Sequence, residues 1–288
     1  MKVCIIGTGN IGTDLLVKVL KTNFEIVAFV GRRPSTKKLP DGVRYAENGI
    51  DFFIQNPRCC DLVFDCTDAY SAALHAKVFL EQDIFVVDMT PSKIGRLCVP
   101  TINCFSLDTI KNVNMITCGG QVSLPLIQYI SSRCTVSYVE VVTQISSDSA
   151  GMATRINIDK YIETTENAIK TILDIPRCKV ILNVNPCPTT IMQTTIFFRA
   201  STSDFEDFGD FVQSMKSYIP NYMVSTLPKY TGDTLMVSVS VPGSGDHLSK
   251  YAGNLDVINC AAMEIARKFS ATLKVLKQNN EYEAVIDI

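Results

Sequence analysis

Histidine is scarce in this chain and paired cysteine motifs are missing from it. There are two histidines, His75 and His247, far apart in sequence, and no Cys-x-x-Cys. Without that ligand spacing a zinc site is unsupported, and no metal is expected. Cysteine itself is plentiful, but eleven is an odd number and the residues sit in apolar segments such as DLVFDCTD. Most are therefore expected to be reduced core thiols rather than a disulfide framework. Long apolar runs are also lacking. The opening MKVCIIGTGN has an apolar run of four residues, too short for a signal-peptide core. No later stretch approaches the ~20 apolar residues of a membrane span, so a cytoplasmic protein without a membrane partner is expected. Charge is modest: 19% of residues, with a formal net charge of -2. That excludes general attraction to nucleic acid and leaves a small molecule as the expected partner. No internal repeat or low-complexity tract occurs, and 288 residues suffice for one large or two medium domains.

What the chain does carry begins at its first residues. KVCIIG reads as a buried strand, GTGNIG as a turn, TDLLVKVLK as a helix and FEIVAFVG as a second strand. Gly7, Gly9 and Gly12 thus form a Gly-x-Gly-x-x-Gly between strand and helix, the context in which that spacing binds a dinucleotide. The three have separate roles. Gly7 permits the tight turn, Gly9 lets a pyrophosphate approach the backbone, and Gly12 lets helix and strand pack closely. Free N–H groups at the helix start face the phosphates. The plain alternative is a tight turn that binds nothing. The second strand ends in VGRRPS. An acidic residue there would accept hydrogen bonds from the ribose of NAD, whereas Arg32 and Arg33 offer guanidinium forks for the 2′-phosphate of NADP. NADP is preferred over NAD on that ground, with two solvated loop arginines as the alternative.

Strand and helix go on alternating through CDLVFDCTD, SAALHAKVFLEQ, IFVVDMT and VNMIT, which indicates an α/β fold with a doubly wound parallel sheet of Rossmann type. Beyond residue 118 the pattern changes. VSYVEVVTQIS, TIMQTTIFFRA and TLMVSVSVPG alternate apolar and polar residues, as antiparallel strands do when one face meets a core and the other is exposed or covered at an interface. IDKYIETTENAIKTILD and EDFGDFVQSMKSYI read as helices, and AGNLDVINCAAMEIARKFSATL as a long closing one. The expected organisation is a dinucleotide-binding domain of residues 1–118 plus 250–288, with the last helix packing back onto it. A second, α+β domain for catalysis and dimerisation takes residues 119–249.

Cys118 lies in NVNMITCGGQVSLP, between an apolar run and two glycines. If Gly119 and Gly120 begin a helix, its N–H groups and dipole favour a thiolate, a strong nucleophile toward an aldehyde or acyl carbon. Neighbouring N–H groups would stabilise the oxyanion formed on attack. On local sequence alone, however, a cysteine after a strand is more often buried packing.

The segments GTGNIGTDL, VFDCTDA, DMTPSKIG, CVPTINC, NVNMITCGGQ, ISSDSAG, TRINIDKYIETT and YAGNLD, in that order, span nearly the whole chain. Together they resemble the acylating acetaldehyde dehydrogenases, which oxidise a short aldehyde to its acyl-coenzyme A. The resemblance implies a glyceraldehyde-phosphate-dehydrogenase-like second domain, with Cys118 as the acyl-thioester nucleophile and coenzyme A as co-substrate. It places the phosphate turn at Thr8, Gly9, Asn10 and Ile11. The nicotinamide site falls to Ser149, Ala150, Gly151, Met152, Ala153, Thr154, Arg155, Ile156 and Asn157 together with Asn254. A homodimer or tetramer is implied, and in the family an aldolase partner channels the aldehyde. Two departures stand out. The family's arginine-aspartate pair falls in the strand that here reads IMQTTIFF, with Thr194 at the position of the aspartate, a general base there. Threonine does not titrate near neutrality, so Asp148, Asp246 and His247 are the substitutes to consider. GRRPS also stands where the family has Ile-Asp and a longer loop, and the C-terminus is short. A semialdehyde or glyceraldehyde-phosphate-type dehydrogenase, with Arg155 near an anionic substrate, and a non-catalytic dinucleotide-binding subunit are the other readings.

Overall fold

The computed structural model describes the chain outside residues 34–38, 105–106, 152–154, 156–157, 188 and 287–288. Its first sheet contains β1 (Lys2–Ile6), β2 (Glu25–Val30), β3 (Tyr45–Ala46), β4 (Leu62–Asp65), β5 (Phe85–Asp88), β6 (Arg96–Leu97) and β7 (Asn112–Asn114). The strands are all parallel, in the order β3-β2-β1-β4-β5-β7-β6. Strands such as LVFD and FVVD are buried along their whole length, because helices cover a parallel sheet on both faces. Alternate residues serve opposite cores: Val3 and Ile5 join Leu16 and Phe64 on one face, while Cys4 and Ile6 join Val63 and Phe79 on the other. Chain order reverses between β1 and β4, which opens a crevice at their carboxyl ends, the usual place for a ligand in such a sheet. Around the sheet lie α1 (Asn10–Leu20), α2 (Ile50–Gln55) and α3 (Ala69–Glu81). The two-residue strands β3 and β6 and the short α2 are additions to the sequence expectation, being shorter than any periodic pattern can reveal.

Helix α4 (Cys118–Ser131) leads into a second sheet built of β8 (Val136–Ser146), β9 (Cys178–Asn185), β10 (Met192–Ala200), β11 (Met223–Thr231) and β12 (Thr234–Val241), in the order β11-β12-β10-β8-β9. Helices α5 (Ile158–Leu173) and α6 (Phe208–Lys216) accompany it. The sheet is mixed rather than antiparallel throughout. β9 runs parallel to β8 because α5 carries the chain back between them. Along β10 the alternation turns Met192, Thr194, Ile196 and Phe198 inward, all fully buried. The fold is thus a Rossmann-like parallel sheet followed by a second, mixed sheet with its own helices.

After a 3-10 turn at Lys250–Ala252, α7 (Gly253–Ile286) returns to the first sheet. Asn259 Nδ2 donates to Ile11 O and to Asp14 Oδ2 at 2.8 Å, and the Phe269 ring stacks on Phe85 with centroids 4.0 Å apart. Lys18 of α1, almost buried, meets Asp256 of α7 at 2.5 Å, and Asp14 and Asp246 lie within 4 Å of the same ammonium. Cys98 and Cys104 form a disulfide, an exception to the expectation of reduced thiols, and the other nine cysteines are free.

Candidate active site

The crevice between β1 and β4 widens into a cavity of about 1000 Å³, walled by the turn after β1, the start of the loop after β2 and the residues following β4. Its three glycines differ as their roles require. Gly7 has φ +102°, and a Cβ there would lie 2.5 Å from the Cys66 carbonyl oxygen; a Cβ on Gly12 would lie 1.9 Å from the Gly7 oxygen. Gly9, by contrast, faces open space within 4 Å. It is also the N-cap of α1 and supplies no side-chain cap, so the N–H groups of the first turn, from Asn10 and Ile11 on, are left for a ligand. A diphosphate fits that turn. Thr8, Arg32 and Arg33 line the same cavity, and Arg33 is anchored through its carbonyl, which accepts from Tyr45 Oη at 2.5 Å.

Beneath the cavity is a buried pair that sequence reasoning does not single out. His75 Nδ1 lies 2.8 Å from Asp65 Oδ2, both residues buried, while Asp65 Oδ1 accepts from the backbone and the hydroxyl of Thr67. The carboxylate at the end of β4 thus holds the wall of the crevice. At the end of β5, Asp88 does the same for the next loop, accepting from Thr90 N, Ser92 Oγ and Asn114 Nδ2. Burial raises its carboxyl to about 6.

Cys118 is the first residue of α4, one position earlier than expected. Thr117 is the N-cap, and its Oγ1 accepts from Gly120 N at 2.9 Å. Gly120 N–H is therefore spent on the cap, and the N–H groups of Cys118 and Gly119 are those that act on Sγ. The N–H groups of the helix start act on the thiol in the expected direction, and desolvation opposes them. Burial pushes the thiol up to about 11, outweighing the hydrogen bonds from Tyr161, Gly119 and the backbone of Cys118 that pull it down.

Residues 118–249 match the family model described as prokaryotic acetaldehyde dehydrogenase, dimerisation, and residues 2–103 match that of the semialdehyde dehydrogenase NAD-binding domain. The acetaldehyde dehydrogenase of Spirochaeta aurantia is 40% identical over 281 residues, covering 94% of this chain and 95% of that protein. The Geobacillus stearothermophilus acetaldehyde dehydrogenase is 36% identical over 286 residues, covering 94% and 96%. The chain belongs to the acetaldehyde dehydrogenase family. Among solved structures, aspartate semialdehyde dehydrogenase II of Vibrio cholerae superposes with a TM-score of 0.66 at 15% identity, covering 94% of this chain and 98% of that one. The Candida albicans aspartate semialdehyde dehydrogenase with NADP gives 0.59 at 15% identity, covering 93% and 98%. Both show the fold. As a family member the protein is an NAD(P)-binding oxidoreductase, and no helix among its described residues is long and apolar enough to cross a membrane.

Within this acetaldehyde dehydrogenase scaffold the remaining expected residues separate. Asn254 is buried at the start of α7, and its Oδ1 has no partner, an acceptor suited to a carboxamide N–H. Ser149 and Ala150 are buried, with Ser149 Oγ on Ser146 O, and Gly151 is exposed. Arg155 spends two donors on the carbonyls of Ala150 and Ser147, so it staples that loop instead of standing free for an anionic substrate. Met152, Ala153, Thr154, Ile156 and Asn157 lie outside the described residues. None of the substitutes for the family's aspartate bonds to Cys118: Asp246 is held by Lys18 and Lys21, Asp148 is exposed beside Ser147, and His247 borders the nucleotide cavity. Among the described residues the side chain that does reach the thiol is Tyr161, whose hydroxyl accepts from Cys118 Sγ at 3.9 Å while the thiol is protonated. Sequence reasoning misses it although it stands in the segment TRINIDKYIETT, because helical spacing places it with Thr165 on what reads as a core face.

Proposed function

We propose that this protein is an NAD(P)-dependent acylating aldehyde dehydrogenase that interconverts a short aldehyde and an acyl thioester, with Cys118 as covalent nucleophile and coenzyme A as acyl acceptor. The observation that carries the reading is Cys118 at the capped start of α4, in a chain that keeps the family's order of segments from end to end. The organisation into residues 1–118 plus 250–288 and residues 119–249, and a homodimer or tetramer formed through the second sheet, belong to the same reading.

The open backbone at Gly9 and the unpartnered Asn254 Oδ1 are what a bound nicotinamide dinucleotide requires. Bound there, it accepts or returns the hydride. The protein's own steps are these. Cys118 adds to the aldehyde carbon, its thiol proton ending on the carbonyl oxygen as a thiohemiacetal. Loss of that hydroxyl proton and of hydride leaves an acyl group on Sγ. An incoming thiol displaces Sγ, which recovers a proton, so that atoms balance around the cycle. Arg32 and Arg33 at the rim favour NADP over NAD.

Nicotinamide reduction with short aldehydes, with and without coenzyme A and with each dinucleotide, tests this for wild type and Cys118→Ala. Turnover that needs the thiol acceptor and vanishes in Cys118→Ala is expected. Undiminished turnover in that variant refutes the nucleophile.

A further inference from the structure

The loss of the family's aspartate leaves a question about how the Cys118 thiol is activated, and the surroundings of Tyr161 answer it. Tyr161 is 9% exposed, on the face of α5 that meets α4. Its position is tied to the nucleophile's helix by two hydroxyls in series. Thr165 Oγ1 donates to Tyr161 O at 2.8 Å and lies 2.7 Å from Thr117 Oγ1, the hydroxyl that caps α4. The phenol oxygen is admitted by a glycine: a Cβ on Gly119 would lie 2.0 Å from it. The same missing Cβ would lie 3.1 Å from Thr143 Oγ1, which in turn stands 3.1 Å from Thr194 Oγ1 across the β8–β10 pairing. A row of hydroxyls therefore runs from the nucleophile to Thr194. Among the described residues, no carboxylate or cation acts on Cys118.

We propose that Tyr161 is a catalytic residue, the hydrogen-bond donor that stabilises Cys118 Sγ as a thiolate both when it attacks and when it leaves, in place of a carboxylate base. This deepens the nucleophile reading above and rests on it. The phenol proton is shared and not consumed. Over the cycle the Sγ proton goes to the carbonyl oxygen on addition, and the proton of the acceptor thiol returns to Sγ on release. A neutral donor suits this thiol: a carboxylate beside Sγ would oppose the thiolate, whereas an O–H group favours it. Burial holds the Tyr161 hydroxyl well above its ordinary value, so the donor stays protonated through the working range.

The test is Tyr161→Phe, which removes one oxygen, fills the same ring space and relieves the approach to Gly119. Cys59, partly exposed and with its thiol pulled down by hydrogen bonds from Cys4 and Cys60, would compete for an alkylating agent. The rate of iodoacetamide labelling at Cys118 is therefore read by peptide mass spectrometry in a Cys59→Ser background, from pH 7 to pH 10. Below its own titration the labelling rate follows the thiolate fraction, so each unit lost with the phenol slows Cys118 about tenfold at every pH. The expected result is a fall of about tenfold or more in labelling and in kcat, with dinucleotide affinity unchanged. Labelling and kcat equal to wild type overturn the tyrosine proposal alone. If instead Cys118→Ala retains turnover, the nucleophile reading falls and the tyrosine proposal with it.

Discussion

Adding a single methyl group at Gly119 tests the geometry around the nucleophile through its effect on stability. In Gly119→Ala the new Cβ lies 2.0 Å from Tyr161 Oη and 3.1 Å from both the ring Cζ and Thr143 Oγ1. The ring is buried on a helix whose backbone is fixed by Thr165, so it cannot swing away freely. Overpacking a filled core costs about 1–3 kcal/mol, and this contact belongs at the upper end. Against it stands about 0.5–1 kcal/mol gained by replacing glycine inside a helix. The net loss is about 2 kcal/mol, or a melting temperature lower by about 4–8 °C, read by differential scanning calorimetry with dinucleotide binding as a check on folding. In Gly119→Ala/Tyr161→Phe the nearest of these atoms becomes Cζ at 3.1 Å, and most of the loss should return. A Gly119→Ala variant that melts with wild type, or a double variant no more stable than the single one, would show that the phenol oxygen does not stand against the start of α4.

Two further outcomes follow from groups on the first sheet. Replacing Arg32 and Arg33 together by alanine should weaken NADP binding by about tenfold or more, the scale of a lost charge-assisted hydrogen bond, and change NAD binding little; equal losses for both dinucleotides in a fluorescence titration would assign the arginines to the shared pyrophosphate. Asp88 gives a pH dependence. Its carboxyl is raised by burial from 3.8 to about 6, so its contribution to stability is complete below the unfolded value and is lost as pH rises through 6. Between pH 7 and pH 5 wild type should therefore gain about 1 kcal/mol over Asp88→Asn in denaturant unfolding, and a difference that moves the other way contradicts burial as the cause.

What the sequence discloses depends on how local the governing physics is. The tight turn at Gly7 and the close packing at Gly12 are legible because they are set by backbone sterics within one turn, and Gly9 is left open. Strands β8, β10 and β12 and the long helices are legible from periodicity, whereas β9 and β11 are not among the sequence expectations. The parallel placement of β9 is not legible either, since strand direction follows from a crossover that no single strand records. For Cys118 the local signal, a helix start, has the right place and the right sign, and burial outweighs it. Desolvation is a tertiary quantity, and here it exceeds the pull of the helix N–H groups. Tyr161 is hidden for a similar reason. Its partner is 43 positions away, and on its own helix it looks like packing.

The return of α7 has a consequence for the order in which the protein comes into being. Phe85 waits for Phe269, and Lys18 and Asp14 wait for Asp256 and Asn259, so the first sheet to leave a ribosome is completed by the last helix. The second sheet lies wholly between these partners. During synthesis the middle of the chain can assemble while the apolar flank of α1 and β5 is still uncovered, and that interval is when the growing chain is most exposed to association with its neighbours.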